Sequence, residues 1–477
     1  MFKFRTHGVL AAALVMLALV AAFGGCAAAP TQAAAPAQAI APDQMLLQYV
    51  NAPDPAYKWE KGPVRDVAGI TISDIVLTSQ VWRGITWQHL LRIYTPADVK
   101  HPGWMTLLIA GGSGKPEPGQ QKGDDQLGVT FANAMQAPVA VLTLVPNQPL
   151  FGELKEDQII SYTYQQYIKD GDPTWPLLFP MTKSAVRALD TLQAYAKQEW
   201  RQNIDSFMVM GASKRGWTTW LTAVADPKRV KVIAPMVIDT LNFAAQFPYA
   251  LKLWGHYSEE ITDYTDKGLT EVFDQPRGKA VWEAVDPYTF RQRLTIPKLV
   301  LLGANDPYWP TGALNLYWDG LVGPKYILYA PNSGHGLDDR QRVVNTIGAF
   351  FRTEAGGQSM PSMSWQGKQA DGALTLTVTA PAAKAARAWV VESDNLDFRP
   401  HEWKSVPMQG RDGVFTVTIQ RPQDKNIAAY GEADFEAQGQ PYTLSTQTYI
   451  VRTRSHAPNV LQRRTYTLST QTYIVRK

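Results

Sequence analysis

A serine set between an apolar strand-like run and a helix-like run constrains this chain more than any other feature. Phe207 to Met210 lead in, Gly211 and Ala212 make a small-residue turn, and Ser213 stands at its apex. The sequence from Arg215 toward Ala225 then reads as a helix. A serine in such a strand–turn–helix elbow is forced out of the layer with its hydroxyl exposed. A fold that contains it must supply a buried strand, a covering helix and an open sheet end at that point.

The flanking sequence supplies that setting. Apolar runs of strand length lie at Trp104 to Ala110, Pro138 to Val145, Val230 to Ile238, Lys298 to Gly303 and Lys325 to Ala330. Helical patterns separate several of them, at Leu127 to Gln136, Met181 to Gln198 and Leu337 to Arg352. Short apolar runs alternating with helices predict a mostly parallel sheet covered on both faces. Ile70 to Leu77 and Trp87 to Tyr94 are expected to pair as its early strands. Two long insertions, 147–180 and 239–297, are rich in aromatic residues and leave the sheet at strand C-terminal ends. Ligands of α/β proteins bind there, and loops of that length are usually functional, so both are expected to cap a site.

A serine hydroxyl needs a base to take its proton and a third group to hold that base. Of seven histidines, only His335 follows a core strand on a Gly-flanked loop with an acid upstream. That acid is Asp306, at the end of the run Leu299 to Asn305. Serine, acid and histidine in this chain order are those of an α/β-hydrolase. Asp239, one strand earlier, is the rival acid. The backbone N–H of Lys214 is the expected first oxyanion donor. Gly111 and Gly112, after the strand Trp104 to Ala110, are the expected second. Arg215 occupies the position where this elbow usually has a glycine, and Gly216 comes one residue later. Cations at a helix start oppose its macrodipole, so Lys214 and Arg215 are expected either to have a tertiary or substrate partner or simply to start the helix exposed. Arg215, Asp239, Trp254 and His256 are the candidate substrate-binding residues.

The remaining chemistry is bounded by composition. The net charge is +4 with no Lys/Arg-rich run, which gives no footprint for nucleic acid. With one cysteine and no His-Glu-x-x-His, neither a metal nor another cofactor is expected. The N-terminus carries Lys3, Arg5 and His7, then an apolar run from Val9 to Phe23, then Gly24-Gly25-Cys26. This predicts a lipoprotein signal over 1–26, lipidation at Cys26 and an exported protein anchored to a membrane of the cell envelope. An Ala/Pro-rich linker over 27–42 is expected to tether the folded body. The hydrolase domain is expected over 43–356. Short alternating strands after Gly356 predict a small immunoglobulin- or fibronectin-like β-sandwich over 357–452. Tyr442 to Arg452 recurs unchanged at Tyr466 to Arg476, leaving a tail over 453–477 that is expected to be dispensable. A monomer acting on a small-molecule, peptide or ester substrate is the expected form.

Three stretches resemble one family. They are Gly211-Ala212-Ser213-Lys214-Arg215-Gly216-Trp217-Thr218-Thr219-Trp220, the helix Met181 to Ala188, and Pro235 to Asn242. Together they resemble the PhoPQ-activated pathogenicity-related proteins over most of the chain. The resemblance implies an exported α/β-hydrolase with Ser213 at its elbow, and implies little about the substrate. The elbow is also similar to that of some exported carbohydrate esterases. A non-catalytic binding or signalling protein on the same scaffold is the alternative expectation, since fold alone does not separate the two.

Overall fold

The structure, a computed structural model, describes residues 40–120 and 124–453. The signal segment, Cys26 and the second repeat copy lie outside the described residues. The sheet contains β1 (Lys58–Val67), β2 (Ile70–Trp82), β3 (Ile85–Pro96), β4 (Trp104–Ile109), β5 (Val139–Leu142), β6 (Ser206–Ala212), β7 (Val230–Met236), β8 (Lys298–Gly303) and β9 (Lys325–Ala330). Its order is β1-β2-β3-β5-β4-β6-β7-β8-β9. Neighbours from β1 to β5 pair antiparallel, and those from β5 through β4 to β9 pair parallel. With β1 set aside, this is the strand order of an α/β-hydrolase. β1 is largely exposed, so its weak apolar pattern offered no strand signal.

Strand alternation explains the layers. Met105, Leu107 and Ile109 of β4 and Phe207 and Val209 of β6 face one core, while Leu108, Met208 and Met210 face the other. The first core is covered by α1 (Pro42–Asn51) and, later in the chain, by α4 (Leu178–Tyr195) and α5 (Lys214–Ala225). The second is covered by α2 (Asp124–Met135) and α9 (Arg340–Ala355). Between them in sequence come α3 (Asp157–Asp170), in the first insertion, and α6 (Phe243–Trp254), α7 (Thr262–Thr265) and α8 (Pro276–Val285), in the second. The two insertions form one aromatic layer around the buried Trp282. Its ring lies 5.4 Å from Tyr164 of the first insertion and 4.5 Å from Phe243 of the second.

The C-terminal region is antiparallel. β10 (Ser364–Ala370), β11 (Ala373–Thr379), β15 (Val414–Gln420) and β14 (Gln409–Arg411) form one sheet. β12 (Ala385–Ser393), β13 (Lys404–Pro407), β16 (Asn426–Ala437) and β17 (Gln440–Ser445) form the other, with β18 (Tyr449–Val451) on β16. The first repeat copy is divided between two strands, β17 and β18. Thr446 breaks the run: its hydroxyl accepts from the Gly431 N–H at 2.8 Å and donates to the Gln447 carbonyl at 2.8 Å. Thr453 is buried and its N–H donates to Asn426 at 2.9 Å, so it belongs to this region rather than to a tail.

Candidate active site

Four consecutive parallel strands deliver polar residues to one edge of the sheet. Ser213 follows β6, Asp239 follows β7, Asp306 follows β8 and His335 follows β9.

Ser213 has φ 57° and ψ −131°, a backbone conformation that costs a non-glycine residue energy and persists where the surroundings enforce it. The enforcing contacts are backbone. The Ser213 N–H donates to the Met236 carbonyl at 2.9 Å, and its own carbonyl accepts from the Trp217 N–H at 3.0 Å. Glycine is required on both sides. A Cβ on Gly211 would lie 2.7 Å from the Arg215 carbonyl oxygen, and one on Gly216 would lie 2.8 Å from that of Met236. The close approach therefore falls at position +3, which is why Arg215 is tolerated at +2.

Arg215 points away from the serine. Its guanidinium donates to the Val145 carbonyl at 2.6 Å and to both carboxylate oxygens of Glu156 at 2.7 and 2.8 Å. Lys214 is paired with Glu156 at 3.0 Å and Asp157 at 2.9 Å. Burial pushes the Glu156 carboxyl up, but the Arg215 fork and Lys214 outweigh it and hold the group down at about 2. Sequence reasoning missed Glu156 and Asp157. The signal was the pair of cations opposing the α5 macrodipole, which calls for partners without naming them.

His335 and Asp306 meet as the chain order predicts. The Nδ1 of His335 lies 2.9 Å from Oδ2 of Asp306, whose Oδ1 accepts from the Tyr308 N–H at 3.0 Å. The Tyr308 ring lies 4.3 Å from the imidazole. The Nε2 of His335 is buried and makes no hydrogen bond. His335 and Ser213 border one small cavity of about 40 Å³, open in part to solvent. Its walls are mainly aromatic and aliphatic, including Trp217, Phe243, Phe247, Ile261, Tyr264 and Trp282, and the paired Lys214 and Asp157 stand at one side.

The other sequence candidates lie elsewhere. Gly111 packs against the Arg215 guanidinium, so the loop after β4 reaches the elbow, but neither Gly111 nor Gly112 borders the cavity. Trp254 lies under the Arg399 guanidinium at 3.7 Å, and His256 is exposed beside it. Asp239 is buried behind the site, where it borders a second cavity together with Asp306. Burial pushes its carboxyl up to about 7, helped by the Asp306 charge and opposed by the Tyr317 hydroxyl. Among the described residues, no cluster of His, Cys, Asp and Glu is arranged to hold a metal ion.

A family model described as PhoPQ-activated pathogenicity-related protein matches residues 46–399. Autocrine proliferation repressor protein A of Dictyostelium discoideum is 30% identical over 333 residues, spanning 66% of this chain and 66% of that protein. An acetyl xylan esterase from Paenibacillus sp. R4 superposes with TM-score 0.45 at 14% identity, covering 64% of this chain and 92% of that one. A glucuronoyl esterase from Solibacter usitatus does so with TM-score 0.37 at 13% identity, covering 64% and 91%.

Proposed function

We propose that this chain, which belongs to the PhoPQ-activated pathogenicity-related protein family, is a serine hydrolase that cleaves an ester or amide through an acyl-enzyme. The observation that carries this reading is His335. One ring nitrogen is held by Asp306 at 2.9 Å, and the other is unpartnered in a residue that borders the same cavity as Ser213. In this mechanism Nε2 takes the Ser213 hydroxyl proton as Oγ bonds to the substrate carbonyl carbon. The carbonyl π electrons move to oxygen, where the backbone N–H of Lys214, which borders the cavity, is the expected donor. Collapse expels the leaving group, which receives the proton from His335. Water, deprotonated by the same nitrogen, then releases the acid and restores Ser213.

The cavity walls support a neutral, compact apolar group on the substrate. Its cation Lys214 is already matched to Glu156 and Asp157, and Arg215 is turned away, so neither is free to take a substrate carboxylate. Export and a lipid anchor at Cys26 remain part of the proposal, supported by the N-terminal sequence. Cys26→Ser should then release the protein from the membrane fraction.

A fluorophosphonate probe tests the central claim. Labelling of the wild type and its loss in Ser213→Ala is the expected result; an unlabelled wild type, or an equally labelled variant, overturns it. The name of the Dictyostelium relative favours a second reading, a signalling role on the same fold, and an unlabelled wild type would favour that one.

A further inference from the structure

We propose that residues 397–403 of the C-terminal β region clamp the two loops that carry Asp306 and His335, with Asn305, Asn332 and Arg399 as positioning residues. The proposal rests on the hydrolase reading above for its catalytic consequence, and on geometry alone for the clamp.

Each loop is gripped beside its functional residue. Next to Asp306, the Asn305 side-chain amide donates to the carbonyls of Arg399 at 2.9 Å and His401 at 2.7 Å. On the other side of Asp306, the Pro307 carbonyl accepts from the Arg399 guanidinium at 3.0 Å. Three residues before His335, the Asn332 amide makes a two-way pair with Trp403. It donates to the Trp403 carbonyl at 3.0 Å and accepts its N–H at 2.7 Å. The loops are also tied to each other, since the Asn305 N–H donates to the Ser333 carbonyl at 3.0 Å. Arg399 is itself held by Asp397 at 2.7 Å and lies flat on Trp254 of the second insertion at 3.7 Å. One short segment therefore touches the acid loop, the base loop and the cap.

Packing does not make these bonds redundant. Behind Asp306, between the acid loop and the C-terminal sheets, lies a water-sized gap of about 20 Å³ bordered by Asp239, Tyr329, Trp403 and Tyr430. At that gap the loop lacks close-packed atoms, and the directional hydrogen bonds beside Asp306 and His335 add a fixing that packing there does not supply. Catalytic geometry tolerates little error, and a shift of about 1 Å can cost roughly 100-fold in rate.

The test compares Asn305→Ala and Asn332→Gly with a control in the same region. Glycine is chosen at 332 because Asn332 has φ 54°, a conformation that alanine adopts poorly. The control is Asp434→Asn, which breaks the pairing of Asp434 with Arg387 between β16 and β12, a pair that touches neither loop. The clamp variants should lose roughly 10- to 100-fold in kcat on an ester the wild type turns over, with KM within about twofold. The control should lower Tm and leave kcat unchanged. A second readout needs no turnover: the low-field proton resonance of the His335–Asp306 bond should broaden or vanish in the clamp variants and persist in the control.

If Asn332→Gly does not fold, Asn305→Ala carries the test alone. Clamp variants that keep both kcat and the resonance overturn the proposal, as does a control that loses both. If the wild type is neither labelled by the fluorophosphonate nor active, but the resonance still depends on Asn305 and Asn332, the hydrolase reading falls and the clamp stands.

Discussion

Asp306 and Asp239 end adjacent parallel strands, face the same cavity and are equally buried, with 7% of each exposed. Their fates differ. Asp306 has a histidine and a backbone N–H to receive its two oxygens. Asp239 keeps one oxygen without a hydrogen bond, and its carboxyl is pushed up to about 7, with burial the largest cause. Burial disfavours a charge wherever it occurs, and a fixed partner decides whether the charge is kept. The same position in the fold thus yields a histidine-partnered carboxylate on one strand and, on the next, a carboxyl that burial pushes up.

This contrast can be broken by experiment, beginning with the largest effect. Ser213→Ala should abolish probe labelling and reduce turnover by about 10⁶-fold, because neither acid matters without a nucleophile. Asp306→Asn should lower kcat by about 10³–10⁴-fold, by leaving the imidazole in the wrong tautomer. If Asp239→Asn cost as much in a parallel assay, the assignment of the two acids would be reversed. Glu156→Gln should reduce kcat roughly 10- to 100-fold, because Arg215 and Lys214 lose the charge that anchors the elbow. Retained activity would show that the backbone contacts of Ser213 suffice alone.

Asp239→Asn should change kcat by less than about threefold at pH 7, and its main effect should be on stability. The native carboxyl, at about 7, binds a proton more tightly than the unfolded one, at 3.8. Between those values the folded state holds more protons, so stability falls as pH rises through the window. The asparagine variant escapes this penalty. Its Tm should exceed that of the wild type at pH 8, and the gap should close toward pH 4. A gap independent of pH would mean that Asp239 is ionised throughout. Truncation after Thr453 should change neither kcat nor Tm, whereas cutting before it removes the bond to Asn426 and should lower Tm.

Much of this was legible because it repeats along the chain. The run from Leu299 to Asn305 and the Gly-flanked His335 mark where strands end, and strand ends are where this fold assembles its chemistry. The expected strands Lys298 to Gly303 and Lys325 to Ala330 coincide with β8 and β9, since mostly buried strands carry a near-continuous apolar run. β1 and the split of the first repeat copy were not legible. β1 is mostly solvated, and the split depends on hydrogen bonds between Thr446 and Gly431, 15 positions apart.

The sequence by itself determined the sheet, the elbow and the order of serine, acid and histidine, because short-range pattern and chain order are local properties. Only the tertiary structure decided what Arg215 and Lys214 do, which residues wall the cavity and what holds the two loops. Glu156 lies 59 positions from Arg215, and Asn332 lies 71 from Trp403. No spacing rule joins residues so far apart; they meet because the sheet orders its strands and two insertions and a C-terminal β region close over one edge.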